Sequence, residues 1–181
     1  MKKEFKHVED TEVVISKLML PTHSNFSGKI HGGYILSLLD EIAFACASKF
    51  SGKYCVTASV DTVDFLNPIE VGELVTMRAS INYVGKTSMV VGVRVEAENI
   101  TTGAIKHCNS SYFTMVAKDK NGKSSVVPGL ILDDVIEVRR FMKAIKRIEM
   151  KKKRQHEFDR IDFIPTDYLH ELKKYNVKVE L

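Results

Sequence analysis

The stretch Asn25…His31-Gly32-Gly33-Tyr34-Ile35-Leu36-Ser37-Leu38-Leu39-Asp40 holds the residue types best suited to chemistry. Two consecutive glycines at the start of an apolar helix leave backbone N–H groups bare where the helix dipole favours negative charge, the makings of an oxyanion site. Asp40 follows Gly33 by seven positions, on a helix expected from Tyr34 to about Phe50. Twelve of those seventeen residues are apolar, so the helix should be central and largely buried. A carboxylate on such a helix is costly to desolvate unless it is hydrogen-bonded or in use, and Asp40 and Glu41 both need an explanation. On a helical wheel Ser37, Glu41 and Ser48 form one narrow stripe with the easier exit to solvent. Asp40 sits about 100° from Glu41, beside Phe44 and Ala47. Pattern alone leaves Asp40 open between a chemical role and a half-exposed place at the edge of an amphipathic face.

The elements that must position these residues follow from periodicity. Glu12 to Leu20 has strand character and ends at Pro21, ahead of a polar loop from Thr22 to Gly28. Beyond the helix lie four segments rich in β-branched residues: Cys55 to Phe65, Glu73 to Val84, Ser88 to Asn99 and Ala104 to Ala117. Turn chemistry separates them at Asn67-Pro68 with Gly72, at Gly85-Lys86 and at Thr102-Gly103. The third alternates cleanly, with Met89, Val91, Val93, Val95 and Ala97 on one face. Short connections predict an antiparallel meander. A curved sheet wrapped around the one long apolar helix is the economical way to bury both. From Asp133 the composition changes: Val135 to about His156 reads as an amphipathic helix, and a short helix is expected after Pro165. The expected division is a first domain over 1–132 and a basic helical extension over 133–181.

At 181 residues the chain can bury a core without disulfides. Cys46, Cys55 and Cys108 are odd in number, widely spaced and embedded in apolar segments, which points to reduced thiols in a cytoplasmic protein. No metal-ligand spacing is present, the charged N-terminus lacks a signal-peptide core, and no apolar run is long enough to span a membrane. The net charge of +4 is uneven: residues 139–154 hold nine Lys or Arg against one Glu. Such a segment suits an anionic partner, a packing contact or simply a solvated face, and composition does not choose among them.

Taken together, the loop Thr22-His23-Ser24-Asn25, the His31-Gly32-Gly33 helix start, Asp40, the strand Val56-Thr57-Ala58-Ser59-Val60-Asp61 and the Phe65-Leu66-Asn67-Pro68…Val71-Gly72-Glu73 turn resemble a hot-dog-fold acyl-CoA thioesterase of the cytosolic acyl-CoA hydrolase branch. The resemblance covers roughly Val13 to Pro128. It implies an α+β hot-dog fold, a curved antiparallel sheet around a long central helix. It further implies hydrolysis of fatty acyl-CoA, with CoA as part of the substrate and no separate cofactor, in a homodimer at minimum and commonly a trimer of dimers. Sharing between subunits also has a physical reason. Asp40 lies about 10 Å along the helix from Gly33, whereas reacting groups must approach within about 3–3.5 Å. A thioester carbonyl held at the helix start cannot meet its own Asp40, but it can meet that of a partner across a two-fold axis.

The resemblance implies that Asp40, Asn25 and Gly32 are catalytic: Gly32 N–H for the developing oxyanion, Asp40 as base or nucleophile, and Asn25 to orient water or carbonyl. Asn25 has a plainer alternative, a loop residue bonding its own backbone. His31 is expected to fix the turn or cap the helix beside Gly33. Ser59 aligns with a hydroxyl near the catalytic carboxylate, and Gly85, Lys86, Thr87 and Ser88 form a hairpin expected near the pantetheine or nucleotide of CoA. Two other functions compete. An acyl-thioester dehydratase needs a catalytic His before a Pro-Gly turn, which His31-Gly32-Gly33 does not reproduce. A non-catalytic acyl-CoA-binding regulator would put the basic helix on DNA, but no helix-turn-helix pattern flanks the fold, and nucleic acid is not expected as a partner.

Overall fold

A computed structural model describes residues 4–180. Its strands are β1 (Phe5–His7), β2 (Val13–Leu18), β3 (Tyr54–Val60), β4 (Leu74–Val84), β5 (Ser88–Asn99), β6 (Ala104–Lys118) and β7 (Gly129–Ile131), and its helices α1 (Gly32–Ser51), α2 (Val135–Phe158) and α3 (Pro165–Tyr168). Five strands form one antiparallel sheet in the order β2-β4-β5-β6-β3. The alternating residues of β5 behave as their pattern predicts: Met89, Val91, Val93, Val95 and Ala97 are all buried. They meet Ile35, Leu39, Ile42, Ala43 and Cys46 of α1 in a core completed by Met77 and Ile81 of β4 and Phe113 and Met115 of β6. The curled sheet around α1 is the hot-dog arrangement. Gly52 ends α1 in the left-handed conformation, φ 66°, and its N–H returns to the Ser48 carbonyl, a cap that only glycine makes without strain.

Three expectations change. The strands are not a simple meander, because β3 pairs with β6 and lies at the sheet edge. The chain from Asp61 to Glu73 runs outside the sheet before β4 begins. Helix α1 is less deeply buried than its composition suggests: Leu36, Ser37, Asp40, Glu41 and Phe44 are exposed along one side. The charged start also contributes a strand, β1, paired in parallel with β7.

Two compact units are distinguished, Met1–Ala144 and Ile145–Leu181, with their boundary inside α2. The opening turns of α2 belong to the first unit, where Ala144 is buried and the Phe141 ring lies 5.3 Å from that of Tyr83. The helix expected after Pro165 is a single turn.

Cys46, Cys55 and Cys108 are free and buried. Burial pushes the Cys46 thiol up to about 12, and a thiol so placed is a packing group, not a nucleophile. Among the described residues no cluster of His, Cys, Asp and Glu suits a metal ion, and no helix is long and apolar enough to cross a membrane.

Leu39 is fully buried between α1 and the sheet. Truncation to Ala removes transfer energy and leaves a cavity, so Leu39→Ala is expected to lower stability by about 3 kcal/mol in urea unfolding without changing the slope of the transition.

Candidate active site

His31 is the N-cap of α1, and its ring Nδ1 accepts the Gly33 N–H at 3.1 Å. With Nδ1 an acceptor, the neutral ring carries its proton on Nε2. The His31 carbonyl accepts from Tyr34 and Ile35, and its own N–H donates to the His23 carbonyl. One amide is left over: among the described residues the Gly32 N–H has no acceptor. A Cβ at Gly32 would stand 3.4 Å from the Phe65 ring, so an apolar wall covers this helix start. The expected capping role of His31 is what the geometry shows.

Asn25 precedes this turn in a loop closed by its own N–H on the Lys29 carbonyl at 2.7 Å. Its Oδ1 accepts the Ser27 N–H at 2.9 Å, the Ser27 hydroxyl at 2.7 Å and the Lys29 N–H at 3.2 Å. Three donors converging on one atom settle which end of the amide is oxygen. The loop-bonding alternative therefore accounts for the oxygen only. Nδ2 has no acceptor among the described residues and is presented as a donor.

The carboxylate of Asp40 accepts the Thr57 hydroxyl on Oδ1 at 2.6 Å. The resemblance implies Ser59 for this place, and in the structure the hydroxyl on Asp40 is that of Thr57. The cause is a β-bulge between Thr57 and Ser59. Thr57 pairs with Met115, whose side chain is in the core under α1, whereas Ser59 pairs with Thr114, in the row that faces away. One extra residue inverts the parity of a strand, so two hydroxyls that alternation would put on the same face end on opposite ones. Glu41, the other helix carboxylate, accepts from Ser37, at 3.3 Å.

The hairpin Gly85–Ser88 lies two strands across from Thr57, because Thr57 pairs with Met115 and Met115 with Met89. At about 4.8 Å per strand the separation is about 10 Å. The Gly85 N–H closes the turn on the Ser88 carbonyl, and Lys86 and Thr87 carbonyls accept from Val127 and Ala117, so the backbone is held on both sides while Lys86 is exposed.

The chain thus assembles two half-sites. Asn25, His31, Gly32 and Gly33 cluster at the helix start with Phe65; Asp40 and Thr57 lie about 12 Å further along α1. Around them Leu36, Phe44, Val60, Phe65 and Leu66 are exposed, and β3 pairs on one side only. Exposed apolar surface beside an open strand edge is what a subunit contact covers. Chemically, the donors suit a carbonyl gaining negative charge and the carboxylate suits a water or the carbonyl carbon itself.

Comparison with known proteins gives a consistent picture. Residues 27–104 match the Thioesterase superfamily model. Protein VdlD of Helicobacter pylori is 48% identical over 141 residues, 78% of this chain and 80% of that one. The uncharacterized acyl-CoA thioester hydrolase YkhA of Bacillus subtilis is 32% identical over 152 residues, 84% of this chain and 88% of its own. Among solved structures, an apo-hexameric acyl-CoA thioesterase superposes with a TM-score of 0.82 at 37% identity, covering 84% of this chain and 97% of that one. An acyl-CoA hydrolase of Staphylococcus aureus, solved with butyryl-CoA, CoA and CoA disulfide, gives 0.79 at 32% identity, with 86% and 94% covered. That enzyme has also been solved with alanine in place of an asparagine, an aspartate and a threonine.

Because His31 caps α1 through its ring, His31→Ala is expected to cost about 1 kcal/mol of stability in chemical denaturation, and His31→Asn, which retains a capping acceptor, markedly less.

Proposed function

The chain belongs to the thioesterase superfamily, and we propose that it hydrolyses fatty acyl-CoA thioesters to free fatty acid and CoA at sites each built by two subunits. The observation that carries this reading is the pairing of Thr57 with Asp40 on the same helix as, but about 12 Å from, the open Gly32 N–H. In one pocket the Gly32 N–H and the Asn25 amide of one subunit would meet the thioester oxygen or the attacking water, and the partner subunit's Asp40 would supply the carboxylate.

Thr57 holds Oδ1, leaving Oδ2 to act. As a base, Oδ2 takes a proton from water as the water oxygen bonds to the carbonyl carbon; collapse of the tetrahedral adduct expels the CoA thiolate, which recovers a proton. As a nucleophile, Oδ2 bonds to the carbonyl carbon, CoA leaves, and water cleaves the resulting anhydride. Both routes balance, and both place negative charge on the oxygen facing Gly32, where one donor is worth about 2.7–4 kcal/mol. Single turnover in ¹⁸O-water tests the second route, since label enters Asp40 only when an anhydride forms and water attacks it at the Asp40 carboxyl carbon.

The Gly85–Ser88 hairpin, with Lys86 exposed, is proposed to approach the pantetheine or nucleotide of CoA. A dimer formed along the β3 edges would cover Leu36, Phe44 and Val60, and the hexameric state of the thioesterase that superposes on this chain supports three such dimers. A cytoplasmic location is proposed on the similarity of the chain to a human cytosolic acyl coenzyme A thioester hydrolase, 32% identical over 76% of this chain. The dehydratase reading loses support because the His31 Nδ1 is already an acceptor for Gly33. An acyl-CoA regulator would bind the thioester without consuming it.

Purified protein should release free thiol from a fatty acyl-CoA. Asp40→Asn should fold normally and lose activity by a factor on the order of 10²–10⁴, Thr57→Val should lose a smaller part of it, and Ser59→Ala should stay near wild type. Sharing is tested by refolding Asp40→Asn with Asn25→Ala: each alone is inactive, and a mixture should recover roughly a quarter of wild-type activity, since half the dimers carry one intact site. No recovery would place both groups in one chain's site.

A further inference from the structure

A second concentration of chemistry lies on the face of the sheet turned away from α1. Arg78 of β4 and Arg94 of β5 are directly opposite in the antiparallel register. Like charges so placed destabilise a sheet unless something offsets them. Arg94 is partly neutralised by Glu96, which accepts its Nε at 2.9 Å, but Arg78 has no carboxylate at ion-pair distance among the described residues. The next row pairs Ser80 with Gly92 and Gly92 with Tyr112. Ser80 and Asn82 are 8% and 6% exposed, with the Ser80 hydroxyl donating to Asn82 Oδ1. A Cβ at Gly92 would collide with the Asn82 amide, so the glycine is what lets that amide lie against the sheet.

The opening turns of α2 complete the enclosure. Arg139, Arg140 and Lys143 line the same cavity of about 500 Å³ as Arg78 and Arg94. This part of α2 lies in the same compact unit as the sheet and is anchored there by Ala144 and by Phe141 against Tyr83. Five cations therefore line one cavity with Glu12 as the one acidic lining residue. The volume falls within the roughly 300–1,000 Å³ of small-molecule sites, and polar and cationic side chains outnumber the apolar Val14, Ala79 and Val93 in its lining, which favours an anionic occupant over an acyl chain. Arginine forks match phosphate oxygens in pairs, and several forks around a polar floor match a compact group carrying several phosphates. An extended polyanion would need an open groove; this surface is closed on one side by α2.

We propose that this cavity binds a compact polyphosphate, the chemistry shared by the phosphate-bearing end of CoA and by nucleoside triphosphates. None of Asn25, Gly32, Asp40 and Thr57 lines it. The proposal is independent of the hydrolytic reading.

Titration calorimetry of the full chain with inorganic triphosphate at low ionic strength tests it, and the titration requires no turnover. Saturable binding is expected at one per chain. It should weaken by about ten- to a hundredfold in Arg78→Ala and in the Arg139→Ala, Arg140→Ala double variant, and remain unchanged in Lys120→Ala, a distant exposed cation. Circular dichroism and the unfolding midpoint check that each variant is folded; Arg78 and Arg139 are exposed, so truncation leaves the core intact. Displacement by CoA, with a raised KM for acyl-CoA in the double variant, would identify CoA as the source. Displacement by ATP but not CoA would identify a separate nucleotide ligand. Either result upholds the site. Absence of saturable binding, or equal binding in folded variants at both positions, overturns it.

Discussion

The burial of α1 in the concave face of the sheet is the constraint on which the rest depends. Ile35, Leu39, Ile42, Cys46 and Phe50 are locked into the core, so the opposite side of the helix is held as a rigid ruler. Gly32 and Asp40 sit at fixed marks on that ruler, at 1.5 Å per residue. No loop movement shortens their separation. A rigid helix keeps each cluster well ordered and, by the same rigidity, keeps Gly32 and Asp40 apart within one chain.

Polar groups around the two half-sites show a division of labour set by hydrogen-bond counting. His31 uses its ring to satisfy Gly33, and Asn25 uses its oxygen to close its own loop. Each local bond removes an acceptor from the site and leaves a donor, the Gly32 N–H in one case and the Asn25 amide nitrogen in the other. Asp40 is treated in the opposite way: Thr57 donates to one oxygen and leaves the other as an acceptor. The result is a donor-bearing end and an acceptor-bearing end on one helix.

The two faces of the sheet are chemically distinct for the same reason that strands alternate. Inward residues of β4, β5 and β6 are Met, Val, Ile and Phe and grip α1; outward residues include Arg78, Arg94, Ser80 and Tyr112. Of the basic stretch 139–154, the residues up to Ala144 lie in the same compact unit as this outer face. Arg139, Arg140 and Lys143 then add to charges from distant strands.

The succession of strands around the long helix, the core-facing residues of β5 and the capped glycine helix start were legible in the sequence, because each depends on short-range periodicity or on residues near one another in the chain. The separation of Gly32 from Asp40 was equally legible, since helical rise is independent of context. The partner of β3, the strand at the N-terminus and the replacement of Ser59 by Thr57 were not. Strand neighbours are chosen by which pairing buries the most surface, over separations that no local pattern reports, and a bulge changes parity without altering composition. Residue types and spacing determined that this chain carries an open glycine helix start and a carboxylate on one helix. Only the tertiary structure decided which hydroxyl holds that carboxylate, because a single unpaired residue in β3 turns one side chain toward α1 and the next away from it.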